Sequence, residues 1–255
     1  VPVVGCECRI CTSTNPRDKR TRVSALLKTR ATPDSEWEYV LLDTSIDLRQ
    51  QLLCHGAPSV GTVVYTHAHV DHFFGLDELR AIQFRIRRPI QVHATPDVQE
   101  RLKVVYNHLF DPNAQGGGGI LSINLHPAEG RFRAGPLELL SLPVLHGSLP
   151  VQGYRWGDMA YITDCSAIPK GTSDLLEGLD TLILDALRKK FHETHFNIEQ
   201  ALEVVNHLRP RRTYFIHMTH DLLYDETNAE LPAGVELAYD GLEIELPPFD
   251  PMSWT

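Results

Sequence analysis

The chain has 255 residues, with 33 acidic against 24 basic side chains and a formal net charge of −9 at pH 7. That length suits one large domain, residues 1–255, with a core of its own. The acidic balance disfavours broad attraction to a long nucleic-acid backbone but admits a small phosphate ester, and no run approaches the ~18 apolar residues of a membrane span.

Three of the five cysteines crowd into Cys6-Glu7-Cys8-Arg9-Ile10-Cys11. An odd count at such close spacing suits metal binding better than a disulfide framework, and it implies a reducing compartment, the cytoplasm. Three thiolates in one tight turn are typical of a structural zinc site whose fourth ligand comes from elsewhere. A charged loop, residues 15–22, follows. Residues 24–29 and 39–42 are predicted as two strands of a hairpin. The second ends in Asp43-Thr44-Ser45. A carboxylate there either holds a ligand His from behind or caps the helix that begins near Asp47. That helix, residues 46–55, is closed by Gly56 and Pro58, with Cys54 expected in the core.

Val60-Gly61-Thr62-Val63-Val64-Tyr65 reads as a buried strand, because β-branched residues dominate it and no charge interrupts it. Directly after it stands His67-x-His69-x-Asp71-His72, and residues 75–82 then have a helical look. Four side chains able to bind a transition metal thus sit on a loop anchored at both ends. Imidazole and carboxylate are ligands that Zn²⁺ or Mn²⁺ accept. Arg80, Arg85, Arg87 and Arg88 read as a solvated helix face rather than a phosphate-facing patch. A short strand, residues 89–94, leads through Thr95-Pro96 into a helix reaching about Leu109. His93 and His108 have no partner in the sequence and read as structural or surface residues. Four consecutive glycines in residues 111–119 predict a mobile loop; the Lys-Ser/Thr ending of a P-loop is missing.

From residue 120 to 184 the pattern is mainly strands, including 137–142, 152–156 and 159–163. Two strand ends carry chemistry: His146 follows Leu142-Pro143-Val144-Leu145, and Asp164 follows Tyr161-Ile162-Thr163. Cys165 is expected to be buried and unliganded. Another strand, 181–185, leads to Leu187-Arg188-Lys189-Lys190-Phe191-His192-Glu193-Thr194-His195. The helix over 197–208 is expected to bury Ile198, Ala201, Leu202, Val205 and Leu208. Thr213-Tyr214-Phe215-Ile216-His217-Met218-Thr219-His220 reads as a strand ending in two histidines. His220 is the chosen fourth ligand for Cys6, Cys8 and Cys11. Asp240-Gly241, between residues 236–239 and 242–246, reads as a type I′ hairpin turn, with a reach of Asp240 to a ligand His as the second reading.

The His67-x-His69-x-Asp71-His72 pattern resembles the signature of the metallo-β-lactamase-fold hydrolases. The resemblance extends over the whole chain to the PhnP-type cyclic phosphodiesterases, relatives of tRNase Z. It is carried by residues 1–11, by the segment through His195, by His217-Met218-Thr219-His220-Asp221, and by residues 225–241. What it implies is an α/β fold, an αββα sandwich of two mixed sheets flanked by helices. It also implies a dinuclear metal site: His67, His69 and His146 on one ion, Asp71, His72 and His217 on the other, with Asp164 bridging. Asp71 counts among the catalytic residues as well. A hydroxide shared by two divalent ions would attack phosphorus. His195 would give the leaving oxygen its proton, and His192 would contact the substrate phosphate. The expected substrate is a small phosphodiester, cyclic ribose or nucleotide, and a homodimer is compatible with the resemblance. The family usually opens with a strand and a Gly/Ser/Thr-rich turn ahead of the Val1 position, and without them one sheet is expected to lack an edge strand. Two other activities use the same ligands. A tRNA 3′-processing endonuclease needs a basic RNA-gripping arm, which the sequence does not show, and a thioester or lactone hydrolase is the remaining alternative.

Overall fold

The computed structural model of the chain describes residues 1–56, 58–114 and 119–245. The glycine run 116–118, where the sequence predicts a mobile loop, lies outside them, as does residue 246 at the end of the expected second hairpin strand. The chain divides into two compact units, one of residues 22–141 and one of residues 1–21 with 142–255.

The first unit is built on a five-stranded mixed sheet of order β1-β2-β3-β4-β5. Strands β1 (Ala25–Thr29) and β2 (Glu38–Leu42) pair antiparallel, with Ala25 opposite Leu42, as the predicted hairpin requires. Helix α1 (Leu48–Cys54) then carries the chain to β3 (Val60–Val64), which is buried along its whole length. Past β3 come the short helix α2 (Val70–Phe73), a 3₁₀ turn (Leu76–Leu79) and α3 (Arg80–Ile86). Strand β4 (Ile90–Ala94), helix α4 (Pro96–Val105) and strand β5 (Ile123–Pro127) complete the layer. The pairs β2·β3, β3·β4 and β4·β5 are parallel, and parallel neighbours need crossover connections long enough to hold helices. Val63, Tyr65, Val92 and Ala94 meet Leu76, Leu79, Ile82, Val98 and Leu102 in one buried cluster. At ~25 cal/mol per Å² of apolar surface, burial of this kind is the main stabilising term. Position 75 admits only glycine, because a Cβ there would lie 2.1 Å from the Ser45 carbonyl oxygen.

Two sequence expectations change in this unit. The helix expected over 75–82 is split into a 3₁₀ turn and α3. Cys54, expected in the core, is exposed on α1. Leu48 and Leu52 take the inward face of that helix, and Cys54, two positions past Leu52, falls about 200° around it. The four arginines of the α3 region are exposed, as expected of a solvated face.

Strand β6 (Arg131–Ala134) pairs antiparallel with the start of β7 (Leu137–His146), and β7 passes from the first unit into the second. The second unit continues with β8 (Leu149–Trp156), β9 (Met159–Ile162), α5 (Lys170–Asp174) and β10 (Thr181–Asp185). It closes with α6 (Ile198–Leu208), β11 (Arg212–Ile216), α7 (Tyr224–Glu230) and β12 (Val235–Leu237). The sheet order is β12-β11-β10-β9-β8-β7-β6, parallel from β12 to β9 and antiparallel between β9 and β8. Asn197 starts α6 with a reciprocal capping box to Gln200, which satisfies two otherwise unpaired N–H groups. The expected apolar stripe of α6 is only partly covered. Ala201 is buried, whereas Ile198, Leu202, Val205 and Leu208 are half-buried, and a groove of about 310 Å³ lined by Phe196, Val204 and Leu208 runs along one flank.

Near the C-terminus the expected hairpin is absent among the described residues. Leu242 N–H does bond to the Tyr239 carbonyl and Gly241 has φ +86°, but Asp240 is not among the positive-φ residues, and residues 242–245 form no strand. A type I′ turn needs positive φ at both central residues; a single positive φ at the third position is the type II pattern. Asp240 reaches no ligand histidine. Its carboxylate accepts from Thr21 N–H at 3.0 Å and from the Thr21 hydroxyl at 2.7 Å.

Candidate metal centres

In the second unit the thiolate cluster forms around one histidine. The sulfurs of Cys6, Cys8 and Cys11 lie 3.4, 3.5 and 3.3 Å from Nδ1 of His220. A tetrahedral zinc with bonds of ~2.3 Å to sulfur and ~2.0–2.1 Å to nitrogen would set these edges at about 3.5 Å. Backbone N–H groups point at two of the sulfurs, Cys11 N at Cys8 (3.5 Å) and Val3 N at Cys11 (3.2 Å). Donors aimed at sulfur are what a thiolate, not a thiol, calls for. Those backbone donors from the Cys11 side lead the causes that lower the Cys8 thiol to about 6, whereas Cys6 is raised. The donor set therefore fits a structural zinc. The loop is anchored by two buried polar groups, as Asp18 accepts Tyr224 N–H at 2.8 Å and Arg20 donates to the Leu222 carbonyl at 2.5 Å, and by the exposed Arg17, whose guanidinium lies 4.9 and 4.7 Å from the ring centroids of Tyr224 and Tyr239.

The histidine motif in the first unit stands at the C-terminal end of β3, where the parallel strands open. His67 is buried and its ring centroid lies 4.6 Å from that of His69 and 4.4 Å from that of His72. His72 Nε2 is 3.7 Å from an Asp71 oxygen. All four residues of the motif are thus brought together. Behind them sits Asp43, whose two sequence readings are now resolved. Its carboxylate accepts from His72 Nδ1 at 2.8 Å, from Thr66 N–H at 2.8 Å and from the Thr66 hydroxyl at 2.7 Å. It does not cap α1. The Ser45 hydroxyl accepts Asp47 N–H instead. With Nδ1 of His72 committed as a donor, only Nε2 keeps a lone pair for a metal, which is the outer-shell pattern of metal-binding histidines.

The second unit gathers its own set at the ends of β7, β9, β10 and β11. His146 Nδ1 donates to the Thr194 carbonyl at 2.6 Å, the same use of Nδ1 as in His72. His217 Nε2 lies 3.2 Å from Asp164 Oδ1, and His195 Nε2 lies 4.0 Å from Asp164 Oδ2. His146, Asp164 and His195 have ligand atoms close enough to share one ion. His195 is buried, stacked on His217 at 4.8 Å and edge-on to His146 at 4.5 Å. His192 lies at the side, its centroid 5.2 Å from that of His195, with desolvation lowering its pKa. Cys165 is buried as expected, and burial drives its thiol pKa far up.

Asp185 escaped the sequence reading. It is fully buried at the end of β10 and accepts from His195 Nδ1 at 2.8 Å and from Cys165 N–H at 2.9 Å. Burial raises its pKa, against the opposing pull of the His195 hydrogen bond and of both histidines' charge. The signal was present: Thr181-Leu182-Ile183-Leu184-Asp185 repeats the apolar-strand-then-Asp pattern of Asp43 and Asp164. A further regularity is backbone strain. Asp43, Asp164 and His217 have φ of 60°, 48° and 60°, a left-handed conformation uncommon outside glycine that recurs at functional positions.

Comparison with known proteins identifies relatives of the chain. Residues 38–218 match the family described as the beta-lactamase superfamily domain. A diphosphatase of the PhnP family is similar over 97% of this chain and 93% of its own, at 37% identity and a TM-score of 0.86. The short form of human tRNase Z shares the fold, at 17% identity and a TM-score of 0.63 over 89% of this chain and 93% of its own. An octanoyltransferase of Porphyromonas gingivalis is 35% identical over 95% of this chain; the chain spans about half the length of that curated relative, 48%. Two mixed sheets with helices, strand ends carrying His and Asp, and a family match running through both units establish the class. The chain belongs to the metallo-β-lactamase superfamily of metal-dependent hydrolases and, within it, to the PhnP family.

Proposed function

We propose that the protein is a dinuclear metal-dependent phosphodiesterase acting on a small phosphodiester, cyclic ribose or nucleotide. Both units would act as one hydrolase domain, a reading supported by the family match that runs through them. His67, His69 and His146 would hold one divalent ion, Asp71, His72 and His217 the other, and Asp164 both; Zn²⁺ and Mn²⁺ suit this donor set. Cys6, Cys8, Cys11 and His220 would hold a structural zinc, and free thiolates in this number agree with a cytoplasmic setting. The observation that carries the reading is the set of tied-back imidazoles. His72 and His146 both commit Nδ1 to an oxygen acceptor and present Nε2. The bound ions supply Lewis acidity and a water acidic enough to ionise near neutral pH.

The chain's own residues do the rest. Asp43 keeps His72 in one tautomer, and the Thr194 carbonyl does so for His146. His195 gives a proton from Nε2 to the departing oxygen, and His192, on the same loop, contacts the phosphate oxygens. The similar PhnP-family protein is a diphosphatase; a diphosphate, like a diester, presents an anionic phosphorus carrying two oxygen substituents. Octanoyl transfer is not read onto this chain, because the match covers 48% of that protein and leaves the rest to carry its named activity. The net charge of −9 argues against long RNA.

The test is substrate preference of metal-loaded protein. Turnover of a 2′,3′-cyclic nucleotide or a bis-aryl phosphate, with no turnover of a thioester, is the expected result. Thioester or lactone hydrolysis without phosphodiester hydrolysis would sink the reading.

A further inference from the structure

The loop that carries His192 and His195 is tied down along its length. Every carbonyl from Leu187 to Phe191 accepts a hydrogen bond. Thr219 N–H donates to Leu187 at 2.9 Å, Ile198 N–H to Arg188 at 3.0 Å and the Asn197 side-chain amide to Lys189 at 3.4 Å. The Arg188 guanidinium then bonds two successive carbonyls, that of Lys190 at 3.3 Å and that of Phe191 at 2.9 Å. Thr194 N–H bonds back to His192 Nδ1 at 3.3 Å. Between the guanidinium clamp and His192 stands Phe191, 64% exposed and the only exposed Phe, Tyr or Trp of the second unit among the described residues. Leaving such a ring in water forgoes the stabilisation of burial, and a clamped backbone holds it there. The ring belongs to the residue next to His192, whose own ring centroid lies 5.2 Å from that of His195. His195 Nε2 in turn is 4.0 Å from an Asp164 oxygen.

We propose that Phe191 is a substrate-binding residue: the base of a nucleotide substrate stacks on its ring while the phosphate lies toward His192 and His195. This assignment rests on the phosphodiesterase reading and narrows its substrate class to nucleotides. A phenyl ring has no hydrogen-bonding atom, so it offers nothing to sugar hydroxyls or phosphate oxygens. The part of such a substrate with a flat face to match it is the base, and stacking accepts any base because each has a π-face. A loop already held in shape loses little freedom when the base arrives, which makes the contact more effective. The base is remote from the phosphorus that reacts. Stacking therefore acts alike on the bound ground state and the transition state, and its loss should show in KM with kcat unchanged.

The experiment compares the zinc-loaded protein with its Phe191→Ala and Phe191→Trp variants on two substrates. One is 2′,3′-cyclic AMP; the other is the cyclic phosphate of methyl riboside, which has the same reacting ring and no base. The ratio of their kcat/KM values is independent of how much of a preparation is folded or metal-loaded. Phe191→Ala should lower that ratio about 5–150-fold, the worth of one stacked base, through KM. Phe191→Trp, which keeps a stacking face, should retain it. A second readout needs no turnover. AMP should quench the added tryptophan fluorescence of Phe191→Trp, and ribose 5-phosphate should not. An unchanged ratio in Phe191→Ala overturns the stacking role, as does a fall carried by kcat with KM unaltered. If the unsubstituted protein hydrolyses neither phosphate, the phosphodiesterase reading fails, and quenching by AMP against ribose 5-phosphate still decides whether a base stacks on this residue.

Discussion

The thiolate cluster and the strand-end clusters use metal-type ligands in opposite ways. Cys6, Cys8 and Cys11 lie within six residues of one turn, are half-exposed, and are oriented by backbone N–H groups from the same loop. The other histidines come from distant parts of the sequence, and their Nδ1 atoms are held by acceptors outside their own turns: Asp43 for His72, the Thr194 carbonyl for His146 and, ten residues away, Asp185 for His195. A closed set of four ligands, three from one turn and His220 from far along the chain, suits a metal that holds a loop in place. Ligands with a buried, non-local outer shell suit a metal whose reactivity must be tuned. The lesson is that ligand identity alone does not separate a structural from a catalytic site, but the origin of the second layer does.

The sharpest way to break this comparison is to remove one ligand from each side. Asp164→Ala should abolish measurable turnover and empty or misplace the strand-end metals, with the thiolate-bound zinc retained. Cys6→Ser should do the reverse, losing zinc and stability while the folded fraction keeps its strand-end metals. Metal binding to such a cluster is also folding free energy. A loss of about 3 kcal/mol at ~2–4 °C per kcal/mol would lower the melting temperature by roughly 6–12 °C. Metal analysis and thermal unfolding of both variants decide the matter; a full metal complement in Cys6→Ser would remove the structural zinc from the account.

Next in size is the proton donor. His195→Ala should cut turnover of a ribose-type cyclic phosphate by ~10²–10⁴ and affect a nitrophenyl diester much less, with metal content unchanged. Loss of a metal in this variant would make His195 a ligand, a role its nearness to His146 and Asp164 also allows. The outer layer gives a smaller effect. Asp43→Asn should lower metal affinity or activity roughly 10–100-fold, read by competition with a chelator. An unchanged affinity would show that Thr66 and the strand end hold His72 without help.

The smallest effect lies away from both clusters. His93 is buried on β4, with its ring 4.9 Å from His126 and 5.3 Å from Phe132, and desolvation, with a smaller contribution from His126, holds its pKa down to about 4. An unfolded histidine titrates near 6.5. Between those values the unfolded chain binds the extra proton and the folded chain does not. The stabilising contribution is therefore complete above pH ~6.5 and is lost as pH falls toward 4, at up to ~1.4 kcal/mol per pH unit. His93→Phe, which keeps a flat ring in the stack, should flatten the fall in urea midpoint between pH 7 and pH 4.5. An identical fall in both proteins would place the acid sensitivity elsewhere.

What the sequence by itself determined was whatever local order encodes. The burial of β3, the strand-loop-helix setting of His67 to His72, the hairpin of β1 and β2, and the grouping of Cys6, Cys8 and Cys11 all follow from residues close together in the chain. His220 was chosen for the thiolates, and His146, Asp164 and His217 were grouped, through family order; the structure places His220 beside the three cysteines and His217 beside Asp164. Tertiary structure decided the partners. Asp43, Asp185 and Asp240 each follow an apolar stretch in the sequence, yet one binds a histidine of the metal motif, one the proposed proton donor, and one a threonine of the N-terminal loop. Cys54 faces water because helix α1 buries Leu48 and Leu52. A short helix with apolar residues on more than one side does not state which side will be covered. A carboxylate's partner, likewise, is set by which strand ends the sheet brings together across tens of residues, a distance over which sequence periodicity carries no information.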